Sequence, residues 1–396
     1  MPMAAPLTDT EVAAARAVTP GADEVVHLNH AGSSLPPQAV LDAQIGHLHD
    51  EARLGGYEAA AAAADRSAAV YDSVARLIGA DASEIARCEH ATAAWNAAFW
   101  SVPMRSGQHV VVHDHEYGAN IVAFLAAAER RGVVIDRVPS DRLGQVDVAA
   151  VEDRLRSHDV ALVSLTHVPT NGGLVNPAAA VGELTRAAGV PFLLDACQSV
   201  GQRVIDVDEI GCDLLSATGR KFLRGPRGTG VLYVRSSILE SLVPSQPDHH
   251  GADLVAVDRF VWTPGARRFE HWEHSVAGWL GLGAAVDHAL EWGVDRVEAT
   301  ISARAAELRE RLVEAGLTVW DEGAERCGIV TTTHPSVPAA ELQARLAAHR
   351  INSTTTPAGS SRWDVERRHL PPLLRLSVHY TTTTAELDHA LEVVGR

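Results

Sequence analysis

Lysine is almost missing from this chain: among 396 residues only Lys221 carries a side-chain primary amine, and all the other basic side chains are arginine or histidine. Arginine serves solubility and ion pairing equally well, but its guanidinium stays protonated and cannot attack an aldehyde as an amine. A chain that keeps one lysine is therefore read as needing an amine there, unless an arginine bias left a single residue by chance. Cysteine is scarce as well. Cys88, Cys197, Cys212 and Cys327 are widely spaced with no CxxC pair, a pattern that fits reduced thiols and not a disulfide frame or a zinc site. Long apolar runs are lacking, and the opening residues do not show the basic-then-apolar order of a secretory signal, so a cytoplasmic location is expected. Positive charge is in deficit. The formal net charge of −16 at pH 7 argues against general binding to nucleic acid or to an anionic membrane surface and leaves a small molecule as the expected partner.

What is present is enough apolar material, 46% of the residues, for one large domain and a smaller one. Between about 110 and 234 short apolar runs recur, such as Val110–Val112, Ala161–Leu165, Pro191–Leu194, Leu214–Leu215 and Val231–Val234. Helical patterns, Ala119 to Arg131, Val148 to Arg156 and Ala178 to Ala188, lie between several of them. This alternation predicts an α/β fold with a mostly parallel, helix-covered mixed sheet, in which ligands lie beyond the carboxyl ends of the strands. After about Gly265 long helical patterns (Val276 to Leu290, Arg296 to Ala315) and short strand-like runs predict a smaller α+β domain. The expected division is an N-terminal helical segment over 1–20, a large domain over 21–264 and a small C-terminal domain over 265–396. The polar stretch from Asn352 to Arg368 is read as an active-site loop or an ordered cover, with plain flexibility as the alternative.

Chemistry gathers at two strand ends. Asp195 closes the run Leu193-Leu194-Asp195 and is followed by Gln198. A buried carboxylate needs a cationic or hydrogen-bonding partner, and a protonated pyridine nitrogen would be one; a helix N-cap is the alternative. The second cluster, Thr218-Gly219-Arg220-Lys221, joins a hydroxyl, a guanidinium and the sole amine, a set suited to holding a phosphate and forming an imine. His113, His115 and Glu116 offer metal-ligand types, but neighbouring positions on a strand point to opposite faces, so no metal is expected.

Asp195-Ala196-Cys197-Gln198-Ser199, then Ala217 to Lys221 and Gly225 to Tyr233, resemble in order and spacing the signature region of class V aminotransferase-fold enzymes. Leu28-Asn29-His30-Ala31-Gly32 resembles their amino-terminal substrate loop and His90 to Asn96 their phosphate-binding turn. The resemblance implies the fold of type I pyridoxal-phosphate enzymes, pyridoxal 5'-phosphate as cofactor and a homodimer. It implies that Lys221 holds the cofactor and moves protons, that Asp195 keeps the ring nitrogen protonated, and that Gln198 meets the ring hydroxyl. Ala91, Thr92, Thr218 and Arg220 would hold the phosphate. Tyr117 takes the stacking place, and Thr170 stands where the family has an asparagine, with Asn171 one residue on. Arg375, with Asn29 and His30, would receive the substrate.

Desulfurases of the family need a thiol on the loop before the substrate arginine, and 352–374 contains none. Arg268 to Ala277 and Ser361 to Arg368 instead resemble the carbon–sulfur lyases of ergothioneine biosynthesis, which split a cysteine sulfoxide conjugate of trimethylated histidine by β-elimination. In that resemblance Trp272 and Glu273, with Trp363, would meet the quaternary ammonium. A class V aminotransferase or an amino-acid epimerase is the alternative.

Overall fold

The computed structural model describes residues 4–395. Its main sheet has seven strands in the spatial order Ile85–Cys88, Gly230–Val234, Leu214–Thr218, Phe192–Asp195, Val160–Thr166, His109–His113 and Val134–Val138. Gly230–Val234 pairs antiparallel to both its neighbours, and the remaining pairings are parallel. Six strands therefore run one way and deliver their carboxyl ends to one edge.

The sheet is covered on both faces, as continuous apolar runs require. Leu162, Leu193, Leu214 and Leu232 face a core with Trp95, Phe99 and Phe124. Their neighbours Val163, Leu194, Leu215 and Val231 face another with Val74, Val181 and Trp279. Successive side chains on a strand point to opposite faces, so each run feeds both cores.

A third core joins a four-stranded antiparallel sheet, ordered Thr318–Val319, Ile329–Thr333, Leu374–Ser377 and Thr354–Thr355, to the helices Val294–Glu314, Ala339–Ala348 and Thr384–Val394. Two segments belong elsewhere than the pattern along the chain suggests. Leu7, Val12 and Ala15 of the N-terminal segment pack into this third core. The Val276–Trp292 helix packs through Trp279, Leu282 and Val286 with the large sheet's core, so the chain passes from one core to the other at Gly293, whose φ of 78° suits glycine.

The hairpin Ala252–Ala256 and Arg259–Trp262 had no counterpart in the sequence pattern. The 352–368 stretch is ordered: it contains a turn at Ala358–Ser360 and a helix at Arg362–Arg368. Among the described residues no helix is long and apolar enough to cross a membrane.

Candidate active site

The carboxyl-edge turns converge on a pocket lined among others by Thr92, Tyr117, Thr170, Asp195, Arg220 and Lys221. Lys221 follows the Leu214–Thr218 strand, and its amine is held below the usual range by burial, against the opposing pull of the Cys197 thiol and Asp195. A depressed amine is partly neutral and can act as a nucleophile.

Asp195 ends its strand with both oxygens engaged. Oδ1 accepts the Cys197 N–H at 3.0 Å and Oδ2 accepts from Asn120 Nδ2 at 3.0 Å. No helix starts here, so Asp195 does not cap one; its Oδ1 instead closes the turn that follows the strand.

The wall opposite is the start of the Ala91–Ser101 helix. His90 caps it by accepting the Ala93 N–H at 3.0 Å on Nδ1. The amides of Ala91 and Thr92 belong to the first turn, which has no partners within the helix and favours an anion. Gly230 begins the reversed strand beneath this turn. A Cβ there would lie 2.6 Å from the carbonyl carbon of His90 and 2.9 Å from the Ala91 nitrogen, so only glycine allows the approach. Arg220 reaches in with Nη1 donating to Thr218 Oγ1 at 3.2 Å.

Gln198 donates through Nε2 to the Ala31 carbonyl at 3.2 Å and to Thr170 Oγ1 at 3.3 Å, while its Oε1 is buried with no partner. Thr170 links the pocket to the smaller sheet, because Arg375 Nη1 donates to its carbonyl and hydroxyl oxygens, each at 2.9 Å. Arg375 Nη2 meets Asn29 Oδ1 at 3.4 Å, and its Nε is buried without a partner. Burial lowers this guanidinium to about 10. Asn29 arrives through a bridge to Ser377 and the bond from the Ala31 N–H to Ser377 Oγ. An unpaired donor on Arg375, an unpaired acceptor on Gln198 and a first helical turn facing an arginine and a buried amine fit a phosphorylated pyridine aldehyde carrying an amino acid.

Other residues singled out in the sequence are placed differently. His30 does not line the pocket: it is 2% exposed, paired with Ser34 Oγ and packed against His27 and His379. Trp272 and Glu273 line a separate hollow with Tyr57, Glu58 and His250. Trp363 packs on Phe124, with the Arg137 guanidinium 5.1 Å from its ring. His113, His115 and Glu116 do not converge on one point; they bond respectively to Ser140, Arg367 and Asn120. Asn171 turns to Ser360. Residues missed from the sequence are Asn120, Thr166, Val168 and Cys197, all on the lining; Asn120, four residues after the buried Glu116 at the start of a helix, carried the only legible signal.

A family model described as aminotransferase class V matches residues 26–390. The chain belongs to the aminotransferase class V family. Its cofactor is pyridoxal 5'-phosphate. Among relatives of this class V chain, a probable cysteine desulfurase of Chlamydia trachomatis is 30% identical over 363 residues, covering 87% of this chain and 88% of that one. The isopenicillin N epimerase of Streptomyces clavuligerus is 30% identical over 349 residues, 82% of each chain. Two solved structures share the fold. A cysteine desulfurase of Thermococcus onnurineus NA1 has a TM-score of 0.90 at 22% identity, covering 99% of this chain and 98% of that one. The cystine C-S lyase C-DES, solved with its product cysteine persulfide, has a TM-score of 0.86 at 23% identity, covering 95% and 99%.

Proposed function

We propose that this class V enzyme is a carbon–sulfur lyase acting on a cysteine-derived substrate by β-elimination. When bound, the cofactor supplies an electron-accepting ring that draws charge from the substrate α-carbon. Lys221 would hold the cofactor and, once free, take the proton from the substrate α-carbon. Asp195 would keep a proton on the ring nitrogen, Gln198 and Thr170 would lie toward the ring oxygen, and Tyr117 would stack on the ring. Ala91, Thr92, Thr218 and Arg220 receive the phosphate, and Arg375 with Asn29 receives the substrate carboxylate as a planar fork. The C–S electron pair leaves with the sulfur, and the unsaturated amino acid left behind is hydrolysed by one water to pyruvate and ammonia.

The observation that carries this reading is the state of the one pocket cysteine. Cys197 is half-buried on the pocket wall, and burial of its sulfur, with Asp195 adding to the effect, raises the thiol well above its ordinary range, so it is not the thiolate a persulfide route needs. The other three cysteines lie in the cores.

The finer reading is a hercynylcysteine sulfoxide lyase of ergothioneine biosynthesis, working as a homodimer. Half-exposed Trp272 and largely exposed Tyr57 share their hollow with Glu58 and Glu273, a combination that suits a quaternary ammonium. We place this hollow opposite the second copy's site. A substrate without the trimethylammonium group that turned over at an unchanged rate would remove this assignment.

The test is product analysis of the purified holoenzyme with a cysteine sulfoxide conjugate and with cysteine. Pyruvate from the conjugate is expected; alanine from cysteine would mean a desulfurase, and inverted amino acid without pyruvate would favour the epimerase reading that the Streptomyces relative motivates. Borohydride treatment should tag Lys221 and leave Lys221→Arg untagged.

A further inference from the structure

Behind Asp195 lies a second carboxyl group with no place in the mechanism above. Glu116 is 1% exposed. Its Oε2 accepts from Thr166 Oγ1 at 2.9 Å and from Asn120 Nδ2 at 3.0 Å. The same Asn120 nitrogen donates to Asp195 Oδ2 at 3.0 Å. One amide, with its two hydrogens, therefore bridges two buried carboxyl groups. Glu116 Oε1 is buried and has no partner.

Two negative charges joined by one neutral amide repel each other, and the group with poorer compensation takes the proton. Asp195 has a backbone N–H besides Asn120, and in the reading above it also has the ring nitrogen. Glu116 has only neutral donors. Its bare Oε1 is the oxygen free to carry a proton, since Oε2 already accepts two bonds. Burial, to which the Asp195 charge adds, raises Glu116 to about 7.

We propose that Glu116 is a positioning residue that acts as a neutral acid through Asn120, fixing the Asp195 carboxylate toward the cofactor ring without adding a competing charge. Thr166 completes the arrangement by orienting Oε2 from the neighbouring strand. The backbone carbonyl of Glu116 also lies 3.5 Å from Ser361 Oγ, so the same residue touches the segment before the Arg362–Arg368 helix.

The inference rests on Asp195 meeting the ring nitrogen. The experiment compares the visible absorption band of the bound cofactor, and its dissociation constant, in wild type, Glu116→Gln, Glu116→Ala and Asn120→Leu holoenzymes. Gln preserves a neutral acceptor, so band position and affinity should stay within about twofold of wild type, whereas Ala and Leu should shift the band and weaken binding by about tenfold. Should Glu116→Ala not fold, Asn120→Leu reads the same link from its other end. A shifted band in Glu116→Gln as large as in Glu116→Ala would mean that the charged carboxylate matters and would overturn the proposal. So would an unshifted band in Asn120→Leu. If wild type itself showed no band with pyridoxal phosphate, the underlying reading of the pocket as the cofactor site, Lys221 and Asp195 together, would fail instead.

Discussion

Lowering the pH from 7 to 5 should weaken the fold through His167, and the size of the effect follows from its surroundings. His167 follows the Val160–Thr166 strand, is buried, and has an Nδ1 with no partner. Burial, reinforced by the Arg203 charge, holds the imidazole down to about 3. In the unfolded chain it titrates near 6.5. Between those values the unfolded chain binds a proton that the folded one refuses, so stability is complete above about 6.5 and declines as pH falls toward 3. At pH 5, about one and a half units below the unfolded value, the loss is ~2 kcal/mol from this side chain. That is a large share of the roughly 5–15 kcal/mol that folded domains hold in reserve. His113, which burial and then His115 hold down to about 2, adds a similar amount over the same window. Urea unfolding at pH 5 and pH 7 measures the difference directly. In His167→Gln the gap between the two pH values should shrink by ~2 kcal/mol relative to wild type. A variant whose gap matched wild type would refute the reasoning, because the missing proton would then be taken up elsewhere.

Three further outcomes are expected. Gly230→Ala places a methyl group against the rigid His90–Ala91 backbone, so equilibrium dialysis should show cofactor affinity lowered by about tenfold or more with the circular dichroism unchanged. Gly118→Ala puts a Cβ 2.3 Å from the Gly359 carbonyl oxygen; the Ala358–Ser360 turn must move away, and trypsin should cleave after Arg362, Arg367 or Arg368 faster than in wild type. Arg375→Lys keeps the charge but loses the fork, so KM for the amino-acid substrate should rise by about tenfold while the cofactor band stays in place.

Residues close along the chain made much of the site legible. Lys221 stands out through composition, and Asp195 and Gln198 follow a buried strand directly, so their joint placement needs only that strand and its turn. The same locality made the strands and most helices readable, since periods of two and of three to four are properties of a short window. Other features depend on chain segments meeting. Arg375 reaches Asn29, 346 residues earlier, because the Leu374–Ser377 strand bridges the N-terminal loop at Ser377. Glu116 and Asp195 share Asn120 only because the parallel strands His109–His113 and Phe192–Asp195, on either side of Val160–Thr166, end at one edge. The hairpin at 252–262 was unreadable because most of its side chains, Leu254 and Phe260 among them, are exposed, so burial imposes no alternation.

The sequence by itself determined which groups are chemically available: one amine, a carboxylate after a buried strand, and no thiol in the 352–374 segment. Only the tertiary structure decided which of them meet, turning His30 inward and setting Trp272 and Glu273 in a different hollow from Lys221. Side-chain type is a local property, whereas pairing across strands and between cores is decided by which surfaces bury one another.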